Sequence, residues 1–155
     1  MRFIHYTDKP FQFDDRKYLQ TKPTYACEKP NGFWITPSEG EDTWADFCKA
    51  EEFNLAGLKV KYDVEIDLTN VLVIDTLKKF DKFEASYGKQ RCDIMRTPKI
   101  DWVTVSNQYN GIIIAPYFWE RRYRNWYYGW DCASGCIWDT SILKLKEASK
   151  LTLLR

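Results

Sequence analysis

Histidine is nearly absent from this chain of 155 residues, which contains it once, as His5. A single imidazole, without a serine or cysteine at a known triad spacing, gives no support for a hydrolase of the Ser-His-Asp type. The chain also lacks any apolar run of 18 residues, so we expect no membrane-spanning helix. Its first residues are charged and aromatic rather than an apolar stretch, and we therefore expect no signal peptide.

Glycine and net charge are both low. The seven glycines include Gly32, Gly40 and Gly57, which do not form a glycine-rich phosphate loop. Lysine and arginine total 23 against 22 aspartates and glutamates, which leaves a net charge of +1. This balance gives no reason to expect binding to nucleic acid or to a membrane, so any such prediction depends on a local cluster.

The cysteines are few, odd in number and scattered. They are Cys27, Cys48, Cys92, Cys132 and Cys136. This distribution predicts reduced thiols in a cytoplasmic protein rather than a disulfide framework. Cys132 and Cys136 make one close pair without a second pair or a neighbouring histidine, so we expect no metal site.

Aromatic residues are abundant, with 7 Trp, 10 Tyr and 9 Phe. A chain of this length is large enough to form one domain, residues 1–155, around a substantial hydrophobic core. The polar tips of tryptophan and tyrosine also suit these residues to ligand binding.

The first seven residues alternate in a way that predicts an interior strand. Arg2, Ile4 and Tyr6 alternate with Phe3, His5 and Thr7. Two interpretations of the histidine are open at this point. It is either a structural residue with a satisfied ring nitrogen, or it lines a ligand cleft together with the threonine.

Further along, strand and helix patterns mix, which predicts an α+β fold with a few short helices. Strands are predicted at 33–36, 59–67, 71–74 (buried on both faces), 112–114 and, as the last strand, 136–138, which 141–145 continues or caps. Helices are predicted at 44–51, 78–87 and 101–108, with a helical turn at 14–18 and a short helix in the tail to 155. Ser38 or Asp42 is expected to cap the first helix and Asp101 the third, while 88–98 is predicted as a basic linker.

Residues 117–130 interleave aromatic rings with three arginines. One interpretation is a surface for nucleic acid or another partner, since arginines contact phosphates and rings stack on bases. Its contact residues are then Arg121, Arg122, Arg124, Trp126 and Tyr127. The other is a folded arm whose rings pack on the sheet and whose arginines pair with surface acids.

Four short motifs, taken in order, resemble the ADP-ribosyltransferase family. They are His-Tyr-Thr at 5–7, Gly-Phe-Trp-Ile-Thr at 32–36, Tyr-Asn-Gly-Ile-Ile-Ile at 109–114 and Cys-Ile-Trp-Asp-Thr-Ser at 136–141. The resemblance covers most of the chain. It implies a mixed, mostly antiparallel split sheet and NAD as the cofactor.

The resemblance also implies roles for particular residues. His5 bonds a ribose hydroxyl, Thr7 supports the adenosine side, Trp34 and Thr36 line the nicotinamide pocket, and Tyr62 or Tyr109 stacks on the nicotinamide ring. Tyr6, beside the histidine, is grouped with these cofactor-binding residues. Breaking the glycosidic bond passes through an oxocarbenium-like ribose, which requires a carboxylate nearby.

The sequence departs from the family where that carboxylate is expected, because Ser134 occupies the position. Asp131 or Glu120 supplies it instead, or the domain binds a nucleotide without cleaving it. The structural alternatives are a turn position for Asp131 and an ion pair between Glu120 and a neighbouring arginine.

Three functions remain open. The first is a mono-ADP-ribosyltransferase acting on a protein or nucleic-acid target, and the second is a non-catalytic nucleotide-binding module. The third is a protein that binds nucleic acid or another partner through residues 117–130. The small size and expected lack of a leader associate the chain with phage- or plasmid-encoded effectors.

Overall fold

The protein, described by a computed structural model over residues 1–25, 27–89 and 98–147, is α+β, with a mixed seven-stranded sheet and three α-helices in these ranges. The strands are β1 (Phe3–Thr7), β2 (Phe33–Pro37), β3 (Val60–Ile66), β4 (Val71–Ile74), β5 (Gly88–Lys89), β6 (Lys99–Ile100), β7 (Gly111–Ile114), β8 (Ser134–Ile137) and β9 (Leu143–Glu147). The helices are α1 (Trp44–Ala50), α2 (Leu77–Tyr87) and α3 (Trp102–Gln108).

The main sheet has the strand order β4-β7-β8-β2-β1-β3-β9, and β5 and β6 pair separately. Within it only β4 and β7 run parallel; the other neighbours are antiparallel. The strand β1 lies between β2 and β3, so the prediction that the chain opens with an interior strand is confirmed.

The strands β1 and β2 pair over only two positions. Phe3 faces Pro37 and Ile4 faces Thr36. The other end of β2 pairs with β8, where Trp34 faces Cys136. The pairing of β1 with β2 therefore ends at Ile4, and the two strands are not paired beyond it.

The core is centred on β7 and β8, whose residues are all buried. Each of these strands lies between two others in the sheet, and other residues cover both of its faces. Phe80 and Phe83 of α2 pack against Trp126, at ring-centroid distances of 4.8 Å and 5.4 Å. Gly135 in β8 has no room for a side chain, since a Cβ there lies 2.8 Å from a methylene carbon of Ile113. Glycine at this position therefore lets β7 and β8 pack closely.

The three main helix predictions are confirmed, and Asp101 caps α3 as expected by accepting a hydrogen bond from the Thr104 amide at 3.2 Å. The predicted cap of α1 is wrong. Thr43 caps it, in a reciprocal box in which its hydroxyl accepts from the Asp46 amide and the Asp46 carboxylate accepts from the Thr43 amide. Thr43 directly precedes the helix in an extended conformation, as a capping residue must.

The predicted helical turn at 14–18 is wrong. This segment is extended, and its backbone bonds to a distant part of the chain. Arg16 donates to the Thr140 hydroxyl at 2.8 Å, and Tyr18 donates to the Trp138 carbonyl at 2.7 Å. Partners more than 100 residues away, which no local pattern reveals, satisfy the backbone groups that a helix would have bonded internally.

The predicted last strand exists as β8 but is not the last. A 3₁₀ turn over Thr140–Ile142 follows it and leads into β9, which pairs with β3. The prediction that β4 is buried on both faces is also wrong, because β4 is an edge strand whose Leu72 and Val73 are only partly buried. The remainder of the linker prediction (90–97) and of the tail prediction (148–155) lies outside the described residues.

Candidate functional site

A pocket of about 280 Å³ lies beside β1 and β2, next to the point where their pairing ends. It is built from β1, β2, the start of α1 and the segment that enters β8. Six predicted site residues line it: His5, Tyr6, Trp34, Thr36, Asp131 and Ser134. The structure therefore brings together residues that are up to 129 positions apart in the sequence.

Thr36 holds three walls of the pocket together. Its hydroxyl accepts a hydrogen bond from the Trp44 amide at 2.9 Å and donates one to the Ala133 carbonyl at 2.9 Å. The side chain is only 3% exposed. With its proton committed to Ala133, Thr36 shapes the pocket rather than offering a donor to a ligand.

The His5 side chain connects β1 to β2 beyond the last paired position of the two strands. Its Nδ1 lies 2.6 Å from the Trp34 carbonyl oxygen, and its ring stacks on Phe33 at 4.0 Å. Because a carbonyl only accepts, Nδ1 carries the proton. Burial lowers the pKa of His5, with a smaller opposing effect from this hydrogen bond. The neutral ring therefore presents Nε2 as an acceptor, so His5 has both a satisfied nitrogen and a place in the pocket wall.

Part of the pocket wall is aromatic, and the side chain of Lys29 lies over one of its rings. Trp34 meets Trp130 edge to face at 5.0 Å, and the Lys29 ammonium lies 5.1 Å from the centre of the Trp34 ring. Trp34 is half-buried and reaches the pocket, so it is not simply a core residue. Flat walls of this kind suit a planar ring as ligand.

Of the two predicted catalytic acids, only Asp131 is among the residues that line the pocket, and it is exposed. Partial burial raises the pKa of its carboxyl group, and the positive charges of Lys29 and Arg122 oppose that rise. Ser134 lines the pocket but donates its hydroxyl to the Cys132 carbonyl at 3.1 Å. Glu120 lies in a 3₁₀ turn over Trp119–Arg121 and is not among the lining residues.

Three predicted cofactor residues are not among those that line this pocket. Thr7 donates its hydroxyl to the Lys9 carbonyl at 3.2 Å. Tyr62, opposite His5 in the β1–β3 register, is buried. Tyr109 is half-buried just before β7. The stacking role that the resemblance implies for one of the tyrosines gains no support from this pocket.

The arginine-aromatic segment is a folded arm for most of its length. Arg121 makes two hydrogen bonds to Asp81, at 2.9 Å and 2.8 Å. Arg124 likewise makes two to Glu84. The two acids lie three residues apart on α2, and so do the two arginines along the arm, so the pairs form side by side.

The prediction that Trp126 and Tyr127 form a contact surface is wrong, because both side chains are fully buried. Arg122 differs from the other two arginines. Its guanidinium lies 4.9 Å from the Trp119 ring and 5.3 Å from the Tyr123 ring, and both rings are largely exposed.

Sequence reasoning missed the other lining residues, among them Lys29, Trp44, Asn54 and Trp130. Asn54 has a positive φ of 48°, and so, nearby in the chain, has Glu52 at 51°. Left-handed backbone outside glycine is uncommon and concentrates at functional sites. The signal available in the sequence was only that asparagine tolerates this conformation.

Comparison with protein-family models, with curated proteins and with solved structures gives no match for this chain. No helix of the described residues is long and apolar enough to cross a bilayer. Within the same residues, no group of three or more histidine, cysteine or acidic side chains is placed to hold a metal ion. The site is therefore interpreted from its own geometry.

Proposed function

We propose that the protein binds NAD in this pocket and transfers ADP-ribose from it to a macromolecular acceptor. The observation that carries the proposal is that His5, Trp34 and Asp131 line one pocket beside β1 and β2. His5 and Trp34 lie in the first two of the four motifs that resemble the ADP-ribosyltransferase family, and Asp131 lies five residues before the fourth.

The size of the pocket favours partial enclosure of the dinucleotide. At about 280 Å³ it lies just below the usual range of small-molecule sites, which is roughly 300 to 1,000 Å³. The pocket holds the nicotinamide and its ribose, and the rest of the dinucleotide lies across the rim. The Trp34 and Trp130 rings supply flat surfaces for the pyridine ring.

The reaction breaks the bond between the ribose C1′ carbon and the nicotinamide nitrogen. The bonding electron pair leaves with nicotinamide, and the ribose develops positive charge until a nucleophile on the acceptor bonds to C1′. The Asp131 carboxylate stabilises that charge. The neutral His5 ring accepts a hydrogen bond from a ribose hydroxyl through Nε2 and so orients the sugar.

The proposal is tested with NAD labelled in the adenosine half, incubated with purified protein and cell lysate. We expect nicotinamide release and label transfer by the wild type. Asp131→Asn should reduce both by about 100-fold or more, as removal of an electrostatic stabiliser does. Glu120→Gln, a matched acid-to-amide change outside the pocket, should keep full activity. Neither release nor transfer by the wild type would remove the enzyme proposal.

A second candidate, nucleotide binding without cleavage, is favoured by one observation. Ser134 occupies the position of the expected carboxylate, and its hydroxyl is engaged by the Cys132 carbonyl. In this case calorimetry shows tight binding and the nucleotide is recovered unchanged. Recovery of ADP-ribose would exclude this candidate.

A further inference from the structure

Three aromatic rings contact one another outside the buried core, on α1 and in the turn that follows it. Trp44 stacks on Phe47 at 5.6 Å, and Phe53 meets these two rings at centroid distances of 6.2 Å and 6.3 Å. None of the three belongs to the buried cluster at the centre of the fold. Phe53 is 53% exposed, and Leu55, two residues later, is 50% exposed. We call these four side chains the α1 surface.

The backbone holds Phe53 against the end of α1. Its amide donates a hydrogen bond to the Cys48 carbonyl at 2.9 Å. The residues on either side of it, Glu52 and Asn54, have positive φ angles of 51° and 48°. Such conformations are uncommon outside glycine and persist where the surrounding structure fixes them. Backbone contacts, rather than burial, therefore keep this exposed ring in place.

The α1 surface borders the pocket described above. Trp44 is one of its members and also lines the pocket, and so does Asn54, which directly follows Phe53. The end of α1 is close enough to act on the pocket electrostatically. Burial raises the pKa of Asp131, and the Glu51 carboxylate adds to that rise. A molecule that lies on the α1 surface is therefore next to the pocket.

The charge around the α1 surface is negative. Residues 39–59 contain six acidic side chains and two lysines, although the net charge of the whole chain is +1. Glu51 and Glu52 are exposed, and neither forms an ion pair with another described residue. A cation is attracted to the face of an aromatic ring, and carboxylates nearby add to that attraction. The rings and the charge together favour a positively charged partner.

We propose that the α1 surface docks a positively charged segment of a protein acceptor. The inference rests on the proposed function, since it names the class of its macromolecular acceptor. Lysine or arginine side chains of that segment lie over the rings and face the two glutamates, and its apolar residues cover Leu55. A nucleic acid fits this surface less well, because its phosphates would meet the six acidic side chains of residues 39–59. Docking here brings a nucleophile of the acceptor to the mouth of the pocket.

The direct test measures peptide binding without NAD, by fluorescence anisotropy. The probe is a fluorescein-labelled peptide of arginine, leucine and serine in equal parts, and its control has glutamate in place of every arginine. The wild type should bind the first peptide and not the second. Phe53→Ala should weaken the binding by about 10-fold or more, as truncation of a central aromatic side chain does. The matched control is Tyr123→Ala, which removes an even more exposed ring outside this surface and should keep full affinity.

Charge reversal provides the second measurement. Glu51→Lys combined with Glu52→Lys should weaken binding of the arginine peptide by about 10-fold and reduce its dependence on salt. Glu65→Lys changes an exposed acid on β3 and should leave both unchanged. Circular dichroism checks that each variant is folded. If Phe53→Ala does not fold, the charge variants decide, since they alter exposed side chains only.

The outcomes separate this inference from the proposed function. Peptide binding that Phe53→Ala weakens, without any cleavage of NAD, supports the docking surface and removes the enzyme proposal. Cleavage of NAD by a protein that binds neither peptide overturns the docking surface and keeps the enzyme. Equal binding of both peptides overturns it too, as does binding of single-stranded DNA that Tyr123→Ala weakens and Phe53→Ala does not. A wild-type dimer that Phe53→Ala dissociates in analytical ultracentrifugation also overturns it, because a second copy then covers the surface.

Discussion

Thr36 offers the sharpest test of how the pocket is built, through the isosteric change Thr36→Val. The change keeps the volume but leaves the Trp44 amide without its acceptor and the Ala133 carbonyl without its donor. Each buried group left unpaired costs about 1–3 kcal/mol. Because α1 begins in a half-buried position, we expect a total loss of about 2–4 kcal/mol in the free energy of unfolding.

The matched control is Thr36→Ser, which keeps the hydroxyl and removes one methyl group. Its expected cost is about 1 kcal/mol, the transfer free energy of a buried methylene-sized group. Urea denaturation of the three proteins, followed by far-ultraviolet circular dichroism, measures both values. If the valine and serine variants were equally stable, the Thr36 hydroxyl would not stabilise the three segments of the pocket wall through its two hydrogen bonds.

Two other changes have defined outcomes. Because burial lowers the pKa of His5, the unfolded chain binds a proton before the native chain does, so stability should fall as the pH drops from 7 through about 6.5. Because a single proton is involved, the slope of unfolding free energy against pH is at most about 1.4 kcal/mol per pH unit. His5 is the one histidine of the chain, so His5→Gln should remove this pH dependence. Denaturation at pH 7 and pH 5.5 measures the slope, and the same slope in the variant as in the wild type would contradict the prediction. Glu84→Ala should lower the free energy of unfolding by about 2–4 kcal/mol, because it leaves both Arg124 and the buried Trp126 indole unpaired. Asp81→Ala breaks an exposed ion pair and should lower it by about 1 kcal/mol or less. Equal losses of stability in thermal unfolding of the two variants would contradict this prediction.

Local patterns predicted those elements whose residues alternate or repeat regularly. Apolar and charged residues alternate over 59–67 and predict the strand β3. The apolar residues Phe80, Phe83 and Tyr87 stand three and four positions apart and predict the helix α2. Both patterns arise because one face of the element is buried and the other is in solvent. The segment 14–18 carried a weak local signal, and long-range hydrogen bonds decided its structure instead.

The candidate site likewise contains residues that local patterns predicted and residues that they did not. His5, Trp34 and Thr36 were predicted because they stand at fixed places in short motifs of neighbouring strands. Lys29 and Trp130 lie in loops without periodicity, and nothing in their surroundings in the sequence marked them as pocket residues. Their places in the pocket follow from the tertiary structure, which brings both loops next to β2.

The arm at 117–130 shows what only the tertiary structure decided. By composition it allowed two interpretations, a partner surface or a folded arm. The acids that settle the matter for Arg121 and Arg124 lie on α2, 40 residues earlier, where no spacing rule connects them to the arginines.

The sequence by itself determined the α+β class, the interior first strand and most of the regular elements, because burial of one face leaves a repeating pattern along the chain. The tertiary structure alone decided where the pairing of β1 and β2 ends and which predicted acid lines the pocket there. These features depend on contacts between residues distant in sequence, and such contacts leave no periodic trace.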